Sequence, residues 1–233
     1  MKYLYLLINF LAVIFPVVFS FHPKIRFYQR WKGALVAILV SSIPFLIWDM
    51  VFTGNGIWGF NIRYLSGYYL FNIPVEEALF FFCIPYSCLF TYHCLNIFSK
   101  NWRLKINEHL VTASVIIFLS IASLVFLDRL YTIITFAALI FLLFFLKYFL
   151  KVHWLGRFYF AYFVLLIPFT IVNGILTGTG LSEPIVWYNN NENMGFRFLT
   201  IPIEDIFYGM LLILLNTTIF EYLEEKSLKE KTC

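Results

Sequence analysis

One nine-residue stretch occurs twice in this chain, and the repetition limits what the chain can fold into. Ile73-Pro74-Val75-Glu76-Glu77-Ala78-Leu79-Phe80-Phe81 returns 128 positions later as Ile201-Pro202-Ile203-Glu204-Asp205-Ile206-Phe207-Tyr208-Gly209. The match extends upstream, where Gly67-Tyr68-Tyr69-Leu70-Phe71-Asn72 corresponds to Gly195-Phe196-Arg197-Phe198-Leu199-Thr200. A proline at the first position of a helix loses no hydrogen bond, so Pro74 and Pro202 each predict a helix start. Two adjacent carboxylates then fall in the first turn of a long apolar run, twice.

The apolar runs set the class. Of the 233 residues 61% are hydrophobic and 13% charged, against roughly 25% charged in soluble domains. Apolar stretches of about 17–25 residues can cross a bilayer. Such runs fall at about 3–20, 34–53, 75–97, 110–127, 130–150, 156–176 and 203–220, which predicts an all-α polytopic membrane protein with seven spans. The first run is preceded only by Lys2 and has no small-x-small cleavage pattern around Ser20-Phe21-His22, so it reads as a helix rather than a signal peptide. Basic residues orient the chain. Lys24, Arg26, Arg30 and Lys32, then Lys100, Arg103 and Lys105, then Lys147, Lys151 and Arg157, and finally Lys226, Lys229 and Lys231 hold most of the 17 Lys and Arg. The expectation is an outer N-terminus and a cytoplasmic C-terminus. These flanks account for the net charge of +4, and nothing suggests nucleic acid as a partner. Cys83, Cys88, Cys94 and Cys233 lack metal-site spacing and read as apolar packing or tail.

The repeat is larger than the acid motif. Trp31-Lys32-Gly33 corresponds to Trp154-Leu155-Gly156, Pro44 to Pro168, Trp48-Asp49 to Val172-Asn173, and Thr53-Gly54-Asn55-Gly56 to Thr177-Gly178-Thr179-Gly180. Two three-helix units follow, 1–99 and 129–220, with a linking span in 100–128 and a cytoplasmic tail at 221–233. Three is an odd number of crossings, so the extra span restores orientation and makes the repeats parallel. Both acid motifs are then expected on one membrane face, where they can meet across a pseudo-two-fold axis. The loops 54–72 and 177–200, rich in Gly, Asn, Trp and Tyr, suit a lid or the membrane interface.

Ionisable groups inside membrane spans are costly and mark functional sites by default. Here they are the two acid pairs and Asp49, with Asn173 as the counterpart of Asp49. Carboxylates near helix N-termini are also favoured by the helix dipole, by roughly 0.3–1 kcal/mol. That alone would explain one pair. Duplication on one face, beside Asp49 and Asn173, favours a site. Glu76 lies one helical turn from Phe80, and Glu204 one turn from Tyr208, so each first acid shares a face with an aromatic ring. Carboxyls that converge in a low-dielectric pocket titrate apart, and such a set serves as general acid and general base. Aromatic rings nearby can stabilise a developing carbocation. Gly54-Asn55-Gly56-Ile57-Trp58-Gly59 fits G-x-G-x-x-G by letter, but it follows a membrane span and lacks the βαβ context of a nucleotide site. Asn216-Thr217-Thr218 matches a glycosylation sequon inside the last span. His93 and His153 lie far from the acids in this topology and do not support a metal site.

The doubled Pro-x-Glu-acid-x-x-aromatic motif, on a seven-span chain built from two three-helix units, resembles the membrane-embedded lycopene cyclases. The resemblance covers essentially the whole chain and implies a carotenoid end-group cyclase unrelated to flavin-dependent cyclases. The implied reaction is redox-neutral: an acid protonates the terminal double bond of lycopene, the next double bond along the chain attacks the cation, and a base removes a proton to leave a β ring. The implied donor and acceptor come from Glu76, Glu77, Glu204 and Asp205, with Glu76 and Glu204 both open as the donor. Asp49 and Asn173 would support them by hydrogen bonding, and Phe80, Tyr208, Pro74 and Pro202 complete the motif. No cofactor is required by this chemistry. The partners implied are the lipid bilayer and lycopene, with room for contact with other carotenoid enzymes. The alternative is a proton-coupled transporter using the paired carboxylates, although no chain of polar groups crosses from one face to the other. A retinal-type receptor needs a lysine in 203–220, and a prenyltransferase needs Asp-rich diphosphate motifs; both features are missing.

Overall fold

The computed structural model describes residues 2–98 and 107–232. Within them run seven α-helices: α1 (Leu4–Phe19), α2 (Trp31–Gly54), α3 (Val75–Phe98), α4 (Glu108–Val125), α5 (Leu130–Phe144), α6 (Leu155–Leu176) and α7 (Ile203–Thr232). Six of the helical stretches are long and apolar enough to cross a membrane. The exception is α1, whose 16 residues span about 24 Å, short of a hydrocarbon core of about 30 Å. The chain is an all-α polytopic membrane protein. The boundaries follow local chemistry. The side chain of Asn107 accepts the Leu110 amide at 3.2 Å and so starts α4. Past its apolar run, α7 continues through the charged segment from Glu221, because Glu, Lys and Leu are strong helix formers with or without lipid. The basic segment with Lys100, Arg103 and Lys105, and the start of the linking region at 100, lie outside the described residues, as does Cys233.

The packing divides into two compact units. The first holds residues 1–54, 62–100 and 212–233. Its core gathers Phe27, Ala34, Ala37, Ile38, Tyr86, Leu89 and Phe220. Small residues on α2 admit close neighbours: a Cβ on Gly33 would meet Phe220, Leu223 and Glu224 of α7. At the same end Arg30 pairs with Glu224, and the Tyr92 hydroxyl donates to Glu221. The second unit holds 55–61 and 101–211. There Phe207 lies 5.7 Å from Phe118 and 5.2 Å from Phe136, ring to ring, and the Tyr162 hydroxyl donates to the Ile206 carbonyl.

The two long loops contain short strands that no alternation in the sequence announces. Strand β1 (Trp58–Phe60) pairs antiparallel with β4 (Val186–Tyr188), placing Gly59 opposite Trp187. Before α3, β2 (Tyr69–Leu70) and β3 (Ile73–Pro74) form a hairpin; before α7, β5 (Arg197–Phe198) and β6 (Ile201–Pro202) form its copy. At the tips Phe71 (φ 57°) and Leu199 (φ 56°) take the left-handed conformation. Pro74 and Pro202 therefore stand one place earlier than expected, each closing a hairpin, and Val75 and Ile203 are the first helical residues. The physical reason is that the first helical amides are engaged by the hairpins. Val75 N–H donates to Tyr68 O at 3.0 Å, and Ile203 N–H to Phe196 O at 3.1 Å. The three spaced glycines also have local roles. Gly54 ends α2, Gly56 turns at φ +70°, and Gly59 lies directly beneath the Trp187 ring.

Candidate active site

In the second unit the acids sit in the first turn of α7, both buried, at 0% exposure for Glu204 and 4% for Asp205. A buried carboxyl is costly unless hydrogen-bonded. Three donors meet Asp205: the Tyr131 hydroxyl on Oδ1 at 2.7 Å, and the Asn173 amide and Tyr188 hydroxyl on Oδ2 at 2.8 and 3.0 Å. Each of these is a bond that a carboxylate accepts. Glu204 is held on one side only. Its Oε1 accepts the Thr132 hydroxyl at 2.6 Å and the Met194 backbone N–H at 2.6 Å. Its Oε2 is buried and has no hydrogen-bond partner among the described residues.

Rings surround this pair. Trp58, carried in by β1, lies 5.2 Å from Tyr131, 6.1 Å from Tyr188 and 6.1 Å from Tyr208. Tyr131 stacks on Tyr188 at 5.9 Å and 22° and meets Tyr208 edge-on at 6.3 Å. Four electron-rich rings next to two carboxyls make a place where positive charge is attracted from two kinds of group.

The first unit repeats the pattern. Glu76 (0% exposed) and Glu77 (8%) open α3. The Ser66 backbone N–H donates to Glu76 Oε1 at 2.5 Å, and Glu76 Oε2 is again buried without a hydrogen-bond partner among the described residues. The Tyr5 hydroxyl donates to Glu77. Tyr5 and Phe80 lie 6.3 Å apart with planes at 61°, against 6.3 Å and 63° for Tyr131 and Tyr208. Asn9 on α1 donates to the Glu76 carbonyl at 2.8 Å. Asp49 is buried on α2 of the same unit.

The structure thus brings Glu204, Asp205, Asn173 and Tyr208 together in one unit, and Glu76, Glu77 and Phe80 in the other. Pro74 and Pro202 each close the hairpin that leads into the helix carrying the acids. Sequence reasoning missed Tyr5, Trp58, Tyr131, Thr132, Tyr188 and the backbone amides of Ser66 and Met194. A signal for two of them was present: Tyr5 and Tyr131 each open the first helix of a repeat, 126 positions apart.

Among known families, a model described as lycopene cyclase matches residues 2–95 and 128–223. The matched segments begin 126 positions apart, the spacing of Tyr5 and Tyr131, and end 128 apart, the spacing of the acid motif. No curated protein matches the chain, and no solved structure does.

Proposed function

The chain belongs to the lycopene cyclase family, and from that premise we propose that it is a lycopene β-cyclase, an isomerase that closes the ψ end groups of lycopene to β rings and yields γ-carotene and β-carotene. Membership makes it a carotenoid cyclase, and its apolar helices make it a multi-pass membrane protein. The β ring, the proton path and the orientation are our reading. In that reading the N-terminus lies outside, the C-terminus is cytoplasmic, and both acid motifs open on the outer face.

One observation carries the proposal: Glu76 and Glu204 each hold one carboxyl oxygen on a backbone N–H and keep the other buried, with no hydrogen-bond partner among the described residues. Because Oε1 accepts in both cases, a proton carried by either acid sits on Oε2. Among the described residues that oxygen meets no competing acceptor, so the proton is available to a carbon–carbon double bond. Protonation of the terminal double bond leaves a tertiary cation. The next double bond along the chain attacks it, forming the ring bond and moving the cation into the ring. Loss of a ring proton to a second carboxylate restores a double bond. One proton enters and one leaves, so no electron carrier takes part. Within its own unit each second acid, Glu77 or Asp205, is held by a tyrosine hydroxyl and supplies negative charge to a cation formed there, and in the second unit the rings of Trp58, Tyr131, Tyr188 and Tyr208 supply their faces.

The test is expression of the chain, and of its Glu76→Gln and Glu204→Gln variants, in a lycopene-accumulating bacterium, with pigments separated by chromatography. Glutamine keeps the Oε1 acceptor and removes the transferable proton. A wild type that makes a cyclic carotene, and a variant that remains in the membrane but loses it by on the order of a hundredfold or more, supports the reading. A well-expressed wild type that leaves lycopene unchanged rejects it.

A further inference from the structure

Neighbouring residues at the start of α5 hold neighbouring acids at the start of α7. Tyr131 holds Asp205 at 2.7 Å, and Thr132 holds Glu204 at 2.6 Å. The spacing that aligns Tyr5 with Tyr131 puts Leu6 in the place of Thr132. Leucine has no hydroxyl. Leu6 is 37% exposed, whereas Thr132 is fully buried. The consequence falls on the first acids. Glu204 Oε1 accepts two bonds, one from the Met194 backbone and one from Thr132; Glu76 Oε1 accepts only that of the Ser66 backbone among the described residues. The last torsion of a glutamate side chain is broad. A carboxyl held at one oxygen by one donor can still swing about that bond. Two donors converging on the same oxygen, one from the loop at Met194 and one from α5, fix its plane, and with it the direction of Oε2.

We propose that Thr132 is the positioning residue that separates the two halves: it fixes the Glu204 carboxyl so that Oε2 delivers its proton in one direction, and this makes Glu204 rather than Glu76 the acid that starts cyclisation. The inference rests on the cyclase reading for its reaction step, and on geometry alone for the Thr132–Glu204 bond. Thr132 acts through Glu204 and need not touch the substrate.

Purified full-length protein in detergent, with Thr132→Val and Thr132→Ser variants, separates the possibilities. Valine keeps the shape and removes the hydroxyl; serine keeps the hydroxyl and removes a methyl. The expected result is a kcat for lycopene lowered on the order of ten- to a hundredfold in Thr132→Val, an unchanged KM, a larger solvent deuterium isotope effect, and recovery in Thr132→Ser. The infrared band of the Glu204 carboxyl group, assigned by its loss in Glu204→Gln, is expected to shift in Thr132→Val and return in Thr132→Ser. Unaltered turnover in Thr132→Val, an equal fall in both variants, or a Glu204 band that does not move would each overturn the proposal. A wild type with no action on lycopene would reject the cyclase reading instead, and the infrared comparison would still decide whether Thr132 holds Glu204.

Discussion

Tyr131 donates its hydroxyl to Asp205 Oδ1 at 2.7 Å, and Tyr5 makes the corresponding bond to Glu77 in the other repeat. A contact kept across a duplication, between the first helix and the second acid, indicates that the acid must be held rather than merely neutralised. Tyr131→Phe keeps the ring packing against Trp58, Tyr188 and Tyr208 and removes only the donor. Buried hydrogen bonds in membrane proteins contribute about 0.6–2 kcal/mol, so the unfolding free energy from a denaturing-detergent titration should fall by that amount. A double-mutant cycle with Asp205→Ala, which removes the acceptor, should return a coupling of similar size. A coupling of zero would mean that the two groups do not support each other.

The acid motif and the helices were legible because both depend on local chemistry: apolar runs long enough to span, and two carboxylates set against them, stand out in any single sequence. Asn173 was legible through its alignment with Asp49. Tyr5 and Tyr131 were not, since tyrosine is enriched near the ends of membrane helices in general, and only the fold brings Tyr131 beside Asp205. The strands were hidden for a different reason. At two or three residues each they are too short to show alternation, and they form because the loop ends are fixed by helices. Trp58 illustrates this: its place among Tyr131, Tyr188 and Tyr208 depends on β1 pairing with β4 across more than a hundred residues of chain.

That pairing can be broken at one atom. Gly59 faces Trp187 across the β1–β4 ladder, and an added Cβ would overlap the indole ring. Gly59→Ala therefore forces the strands apart or the indole aside, at a cost of about 1–3 kcal/mol for overpacking. Because Trp58 is the adjacent residue, the ring cluster around Asp205 should loosen as well, and cyclisation should fall with stability. Trp187→Ala makes room, so Gly59→Ala/Trp187→Ala should be more stable than Gly59→Ala alone, as read by thermal unfolding of the purified protein.

Far from the acid motif along the helices, Lys147 donates to Glu108 Oε1 at 2.6 Å, and the Gly156 amide reaches Glu108 Oε2 at 3.1 Å. Lys147 sits in the π-helical turn Phe145–Phe149 that ends α5, a widening that turns its long side chain back toward α4. Removing one partner of a buried pair strands the other. For Lys147→Met the expected loss is about 3 kcal/mol, at the low end because a quarter of the Glu108 side chain stays exposed. Lys147→Met/Glu108→Leu strands neither charge and should recover most of that stability. Equal midpoints for the single and double variants would show that the pair contributes nothing through its charges.

The donor at position 173 is the clearest chemical difference between the repeats, since the aligned residue in the first is Asp49. Asn173 Nδ2 donates to Asp205 Oδ2 at 2.8 Å. Asn173→Ala removes the donor and leaves Tyr131 and Tyr188 in place, so the loss should be within the same range of about 0.6–2 kcal/mol. Asn173→Asp does more: it sets an acceptor against an acceptor in a buried place, and it should destabilise the protein further than alanine does. Exchanging the two, as Asn173→Asp/Asp205→Asn, restores a donor facing an acceptor, so the unfolding midpoint should return toward wild type. Cyclisation should not return with it, because the carboxylate would then stand on α6 instead of beside Glu204. Recovery of both together would mean that position 205 is needed only to keep the fold, and that its charge has no part in the reaction.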